Sequence, residues 1–91
     1  MTTVDEGAAG EIARMHVARL SASLGEPCAL MTSETREVEQ GWLFFFNTAE
    51  FVQTRDPMHS LAGNGPFLVL RDGRVHELPS SLCWEEALKH I

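Results

Sequence analysis

Little in this sequence offers covalent chemistry, and little suits a charged polymer or a membrane. Two cysteines in 91 residues, Cys28 and Cys83, are too few for a disulfide framework. No CxxC or HExxH spacing is present, which leaves no standard zinc signature. Seven Lys and Arg stand against thirteen Asp and Glu, for a net charge of −6. Sequence-independent nucleic-acid binding and attachment to an anionic membrane both need a basic patch, so neither is expected of this chain. Its longest apolar run, Trp42–Phe46, falls far short of the ~20 residues of a membrane span. The opening stretch Met1–Glu6 has neither the basic nor the apolar part of a secretory signal. These absences predict a cytoplasmic protein whose two thiols are reduced and structural.

What is present fits one small core. A chain of this length makes a single domain, 1–91, with no room for a dinucleotide-binding fold or a barrel. From Asp5 to Leu24, the residues Ala9, Ile12, Ala13, His16, Val17, Leu20 and Leu24 recur at helical spacing. Thr3 with Glu6 fits a capping box, and Gly25 followed by Pro27 is a stop signal. Cys28–Thr32 reads as a short strand and Ser33-Glu34 as a turn. Thr35–Gln40 reads as an edge strand carrying Glu37 and Glu39 on one side of its pleat. Gly41, at a position that often marks a bulge, precedes Trp42–Phe46, a strand apolar on both sides.

Residues 47–65 form a long connection, with a helical turn expected over 48–54 and a break at Asp56-Pro57. Pro66–Arg71 is the next strand, Asp72-Gly73 a two-residue hairpin signal, and Val75–Leu78 the return. Pro79-Ser80-Ser81 is expected to cap a final helix, with Trp84, Ala87, Leu88 and Ile91 on one side. The fold class is therefore α+β: an antiparallel sheet of about four strands, a long N-terminal helix packed on it, and a short C-terminal helix. The two central strands need cover on both sides. The first helix supplies one cover; the last helix and the 47–65 connection are available for the other.

No catalytic set emerges. The four histidines, His16, His59, His76 and His90, follow no ligand pattern, and His16 reads as a core residue. A Cys–His nucleophile pair would need a proximity that nothing in the sequence supplies. Gly63-Asn64-Gly65-Pro66 precedes a strand rather than opening a helix, which makes it a tight turn and not a phosphate cradle. The carboxylates are too dispersed for an acid–base pair. They read as solvated surface or as an acidic face for a basic partner. The expected cofactors and metals are none.

Two segments carry a resemblance. Gly41-Trp42-Leu43-Phe44-Phe45-Phe46-Asn47 resembles the GW-x-F-x-[YF]-[NS] strand of the immunity protein 35 family, also called the YrhB-type family. Ser60-Leu61-Ala62-Gly63-Asn64-Gly65-Pro66 resembles its LAGNGP turn, followed by Phe67-Leu68-Val69 and the Asp72-Gly73 hairpin. Thr54-Arg55-Asp56-Pro57 is similar to a T-G-D stretch, with Arg55 where Gly is common, and Phe46 stands where Tyr is frequent. The resemblance covers nearly the whole chain. It implies a small α+β protein of bacterial polymorphic-toxin systems, one that binds and neutralises a cognate protein toxin encoded nearby. A chaperone-like holdase is the other role implied.

The residues are compatible with an inhibitor that works by occlusion and without catalysis, as a monomer or weak homodimer. Candidate partner contacts are Glu37, Glu39, Trp42, Glu50, Arg55, Asp56 and Asn64. Trp42 also reads as a core residue and Asn64 as a turn residue. A small hydrolase would need a cleft holding Cys or His.

Overall fold

The computed structural model describes residues 3–60, 65–79, 81 and 83–90. Helix α1 runs Glu6–Leu24, followed by β1 (Cys28–Leu30), β2 (Arg36–Val38), β3 (Gly41–Phe44) and β4 (Phe46–Thr48). Helix α2 (Ala49–Thr54), β5 (Phe67–Leu70), β6 (Val75–Glu77) and α3 (Trp84–Leu88) complete the chain. The four-stranded antiparallel sheet has the order β2-β3-β5-β6, and β1 pairs with β4 in a separate ribbon. The fold is α+β.

Helix α1 begins from a different cap than the Thr3–Glu6 box. Asp5 is the N-cap, and its carboxylate accepts the Ala8 N–H at 2.8 Å. The Val4 N–H donates to the Arg71 carbonyl at 2.9 Å, so the chain before Asp5 is tied to the end of β5. At the other end Gly25 takes φ +70 while its own and the Glu26 N–H both donate to the Ser21 carbonyl, which satisfies orphan helix groups.

The run Trp42–Phe46 divides into two strands, and the cause lies in its partner. Leu30 pairs with Phe46, and Arg36 pairs with Leu43. Six steps on one side therefore face three on the other. The surplus is taken up by a 3₁₀ turn, Thr32–Glu34, while the Met31 N–H still donates to the Phe45 carbonyl at 2.8 Å. Glu39 lies past β2, in the turn leading to β3, so it does not share a strand with Glu37.

Gly41 is required by contact and not by a bulge. Its φ is +156, and a Cβ there would stand 2.1 Å from the Val69 carbonyl oxygen. Glycine is what lets β3 approach β5 this closely. The β5–β6 hairpin has three loop residues, not two. The Leu70 N–H donates to the Arg74 carbonyl, the Gly73 N–H returns to Leu70, and Gly73 takes φ +91. Such a loop is a turn closed by a left-handed glycine.

Two cores result. Ala9, Ala13 and Val17 of α1 pack on Trp42, Phe44, Phe46, Phe67 and Val69. On the opposite side Leu43 and Leu68 pack under Leu78, Ala87 and Leu88, with Val38, Phe45, Leu70 and Trp84 half-buried around them. Among the described residues of the 47–65 connection none joins that second core, and α2 packs on β1 and β4 instead. Nor do Pro79–Ser81 cap α3: its N-cap is Cys83, with no side-chain capping bond. Ser80, Ile91 and residues 61–64 of the expected turn lie outside the described residues.

Candidate interaction surface

The best-organised surface unit follows β4. Asn47 and Thr48 are buried polar residues, 8% and 1% exposed, and both are committed to hydrogen bonds. Thr48 is the N-cap of α2: its hydroxyl oxygen accepts the Phe51 N–H at 3.0 Å and its O–H donates to the His59 carbonyl at 2.7 Å. Asn47 accepts the Thr48 N–H at 2.8 Å, and its amide donates to the Ser60 hydroxyl at 3.1 Å. One buried network thus fastens both ends of residues 48–60 to the sheet. Satisfied buried networks of this kind specify one arrangement.

On that rigid unit the chain brings three of the expected contact residues together. Glu50 Oε1 lies 3.3 Å from His59 Nε2, and Asp56 Oδ2 lies 4.0 Å from the same nitrogen. Asp56 also caps the 3₁₀ turn Pro57–His59 by accepting the Met58 N–H at 3.0 Å. Arg55 closes α2 in the left-handed region, φ +61 and ψ +21, with its guanidinium 5.9 Å from the Phe51 ring. It is the one non-glycine residue with positive φ among the described residues. Glycine would hold that conformation without strain, so the resemblance's Gly and this Arg55 occupy a position whose backbone favours glycine. Met58 is 88% exposed at the tip of the same unit.

Glu37, Glu39 and Trp42 sit at the other end of the β3–β4 run, and a single arginine gathers them. Arg71 donates to the Glu37 carboxylate at 3.2 Å, to the Glu39 carbonyl at 3.3 Å and to the Val38 carbonyl at 2.8 Å. Its guanidinium lies 4.6 Å from the Trp42 ring centroid. Trp42 is 4% exposed, so it supports this end of the sheet from within and presents no surface to a partner. Its indole N–H is buried without a hydrogen-bond partner among the described residues. Asn64 lies outside the described residues.

Sequence reasoning weighed His59 only as a metal or acid–base candidate and did not single out Met58 or Arg71. The Asp56–His59 spacing was a usable signal for a short turn. Nothing local to Arg71 announces a clamp that reaches back more than thirty residues.

His16 meets the edge of the Phe67 ring at 4.6 Å and the Glu77 carboxylate at 3.2 Å. Both cysteines are free, Cys28 half-buried and Cys83 exposed. Among the described residues no three His, Cys, Asp or Glu side chains gather where they could hold one metal ion. No helix among them is long and apolar enough to cross a membrane. The Asp72 carboxyl titrates below its ordinary value, first because it accepts the Arg74 N–H, and also through the Arg74 side chain.

The sequence profile of the family described as Immunity protein 35 matches residues 8–90, from the first turn of α1 past the end of α3. This chain belongs to the immunity protein 35 family. It is also similar to the protein YrhB of Escherichia coli (strain K12), 43% identical over 51 residues, which is 55% of this chain and 54% of YrhB. The chain thus spans about half the length of that curated relative in the match. No solved structure matches it. For this immunity protein 35 chain the family supplies the class, while the surface geometry above supplies the candidate contacts.

Proposed function

We propose that this chain is an immunity protein that binds a cognate protein toxin in the cytoplasm and neutralises it by occlusion, without catalysis. The observation that carries this reading is the family match over residues 8–90, which takes in both cores and the unit after β4. A stable inhibitor complex buries about 1,600 Å² in total, so the contact must draw on several elements of so small a domain. Preorganised loops on a rigid sheet suit that task, because little ordering entropy is lost on binding. Residues 48–60 meet this requirement, with Glu50, Arg55, Asp56 and Met58 displayed on a hydrogen-bonded base. Glu39 is a further exposed contact candidate. Glu37 is already paired with Arg71 and contributes less to steering than a free carboxylate.

The test is co-expression with the toxin domain encoded by the adjacent gene. The expected result is restored growth and a stoichiometric complex that survives gel filtration. Growth arrest in the presence of well-folded chain, with no complex, overturns the reading. Suppressed aggregation of unrelated proteins without a stable toxin complex would point instead to a holdase.

A further inference from the structure

The two edge strands of the four-stranded sheet distribute their charges by face. In β2, Glu37 pairs across to Trp42 and so lies on the α1 side, while Arg36 pairs with Leu43 and lies on the α3 side. In β6, Glu77 pairs with Phe67 on the α1 side, while His76 pairs with Leu68 on the α3 side. Each edge therefore sends an acid one way and a basic side chain the other. The acids are answered within the protein, Glu37 by Arg71 and Glu77 by His16, each at 3.2 Å. The bases are not: neither Arg36 nor His76 has a carboxylate partner among the described residues.

Arg36, Leu43, Leu68 and His76 form one row straight across the sheet. The centre of that row is roofed by Ala87 and Leu88 of α3, and Val38, Phe45, Leu70 and Trp84 surround the roof half-buried. Arg36 lies 5.8 Å from the Trp84 ring. No strand residue on this side of the four-stranded sheet carries a carboxylate, and of the two acids on α3, Glu85 and Glu86, Glu86 already pairs with Lys89.

We propose that the α3 side of the sheet is a docking surface for the toxin in addition to residues 48–60, and that the toxin meets it with an apolar patch flanked by two carboxylates. The proposal rests on the immunity reading and names the partner chemistry of one surface. The apolar ring supplies buried area, and Arg36 and His76, which have no carboxylate partner among the described residues, supply two anchoring donors at its margins. The strands that carry them are three spacings apart, which sets the two toxin carboxylates about 14 Å from each other. The charge required of the toxin here is opposite to what the net charge of −6 alone suggests. Net charge governs approach, whereas local pairing governs the docked state.

The test measures affinity for the adjacent-gene toxin domain in four full-length chains: wild type, Arg36→Glu, His76→Glu, and Arg19→Glu on exposed α1 as a control for net charge. Arg36→Glu is expected to weaken binding at least tenfold, mostly through faster dissociation, and His76→Glu to weaken it several-fold. Arg19→Glu should change affinity less than twofold. Arg36→Gln, which keeps a donor and adds no negative charge, should fall between wild type and Arg36→Glu if strand β2 tolerates substitution. Thermal melts show whether each chain is folded.

Equal affinity in folded Arg36→Glu and wild type overturns this surface and leaves the immunity reading standing. Absence of complex with wild type overturns both. A wild-type homodimer that Arg36→Glu dissociates would make the occupant a second copy and also overturn the proposal.

Discussion

The α1 side and the α3 side of the central sheet are formed by the same two strands and are finished in opposite ways. On the α1 side a helix of 19 residues seals Trp42, Phe44, Phe67 and Val69, and both edge carboxylates are paired. On the α3 side a helix of only five residues covers Leu43 and Leu68, and neither edge base has a carboxylate partner among the described residues; half-buried apolar side chains ring the core on both sides. An isolated helix of five residues is not stable in water, so α3 is held by what it covers, whereas α1 brings caps and length of its own. Both sides bury core residues, but the α1 side is closed by a long capped helix, and the α3 side is the one proposed above for contact.

The largest test of this contrast compares neighbours in the chain. Phe44, 4% exposed on the α1 side, should cost about 3–5 kcal/mol when cut to Ala. Phe45, half-buried on the α3 side, should cost only about 1 kcal/mol. Urea unfolding of the two variants decides it, and equal losses would break the contrast.

Gly41→Ala probes the closeness of β3 and β5, which both sides share. With a Cβ placed 2.1 Å from the Val69 carbonyl the strands must separate, at a cost of about 2–4 kcal/mol in the same assay. A loss under about 0.5 kcal/mol would show that the two strands can part freely.

Arg71→Ala should cost about 1–2 kcal/mol, because two carbonyls, the Glu37 carboxylate and the Trp42 ring lose one shared partner. Arg71→Lys should recover less than half of that, since an ammonium cannot reproduce the fork. Full recovery by lysine would reduce the clamp to a simple charge contact.

Arg55→Gly, in the unit after β4, should gain about 0.5–1 kcal/mol by relieving the left-handed conformation. If Arg55 also touches the toxin, the same variant binds it less well, and stability and affinity move in opposite directions.

The smallest effect belongs to Asp72. Its carboxyl titrates below the ordinary value of 3.8, so its contribution is complete above that pH and fades as acid brings it through its lower folded value. The stability difference between wild type and Asp72→Asn should shrink from pH 5 towards pH 2. A constant difference would remove Asp72 from the acid response.

Much of the architecture was legible from periodicity. Ala9, Ala13 and Val17 repeat at helical spacing, and they are the residues of α1 that are buried. Strands β3 and β5 were legible as apolar on both sides, which required two covers. The cap was misplaced because Thr3–Glu6 and Asp5 are both acceptable caps locally, and a bond from Val4 to Arg71, distant in sequence, selects between them. Phe45 looked like the middle of one strand because its own alternation is unbroken; the interruption is in residues 31–36 opposite it. Among the candidate contacts, Glu50, Arg55 and Asp56 were found as neighbours in the chain. His59, which joins Glu50 to Asp56, carried no pattern of its own.

Spacing by itself determined the period of α1, the apolar strands and the presence of a hairpin at Asp72-Gly73, because each is written in residues close together along the chain; the family was legible only as a resemblance of motifs at 41–47 and 60–66. The tertiary structure alone decided which side of the sheet each of these side chains faces, that Glu37 and Glu77 have partners within the protein while Arg36 and His76 have no carboxylate partner among the described residues, and that Arg71 closes over Trp42. Those outcomes depend on strand register and on contacts across thirty to sixty residues. A one-residue slip in register would reverse all of them while leaving every local pattern unchanged.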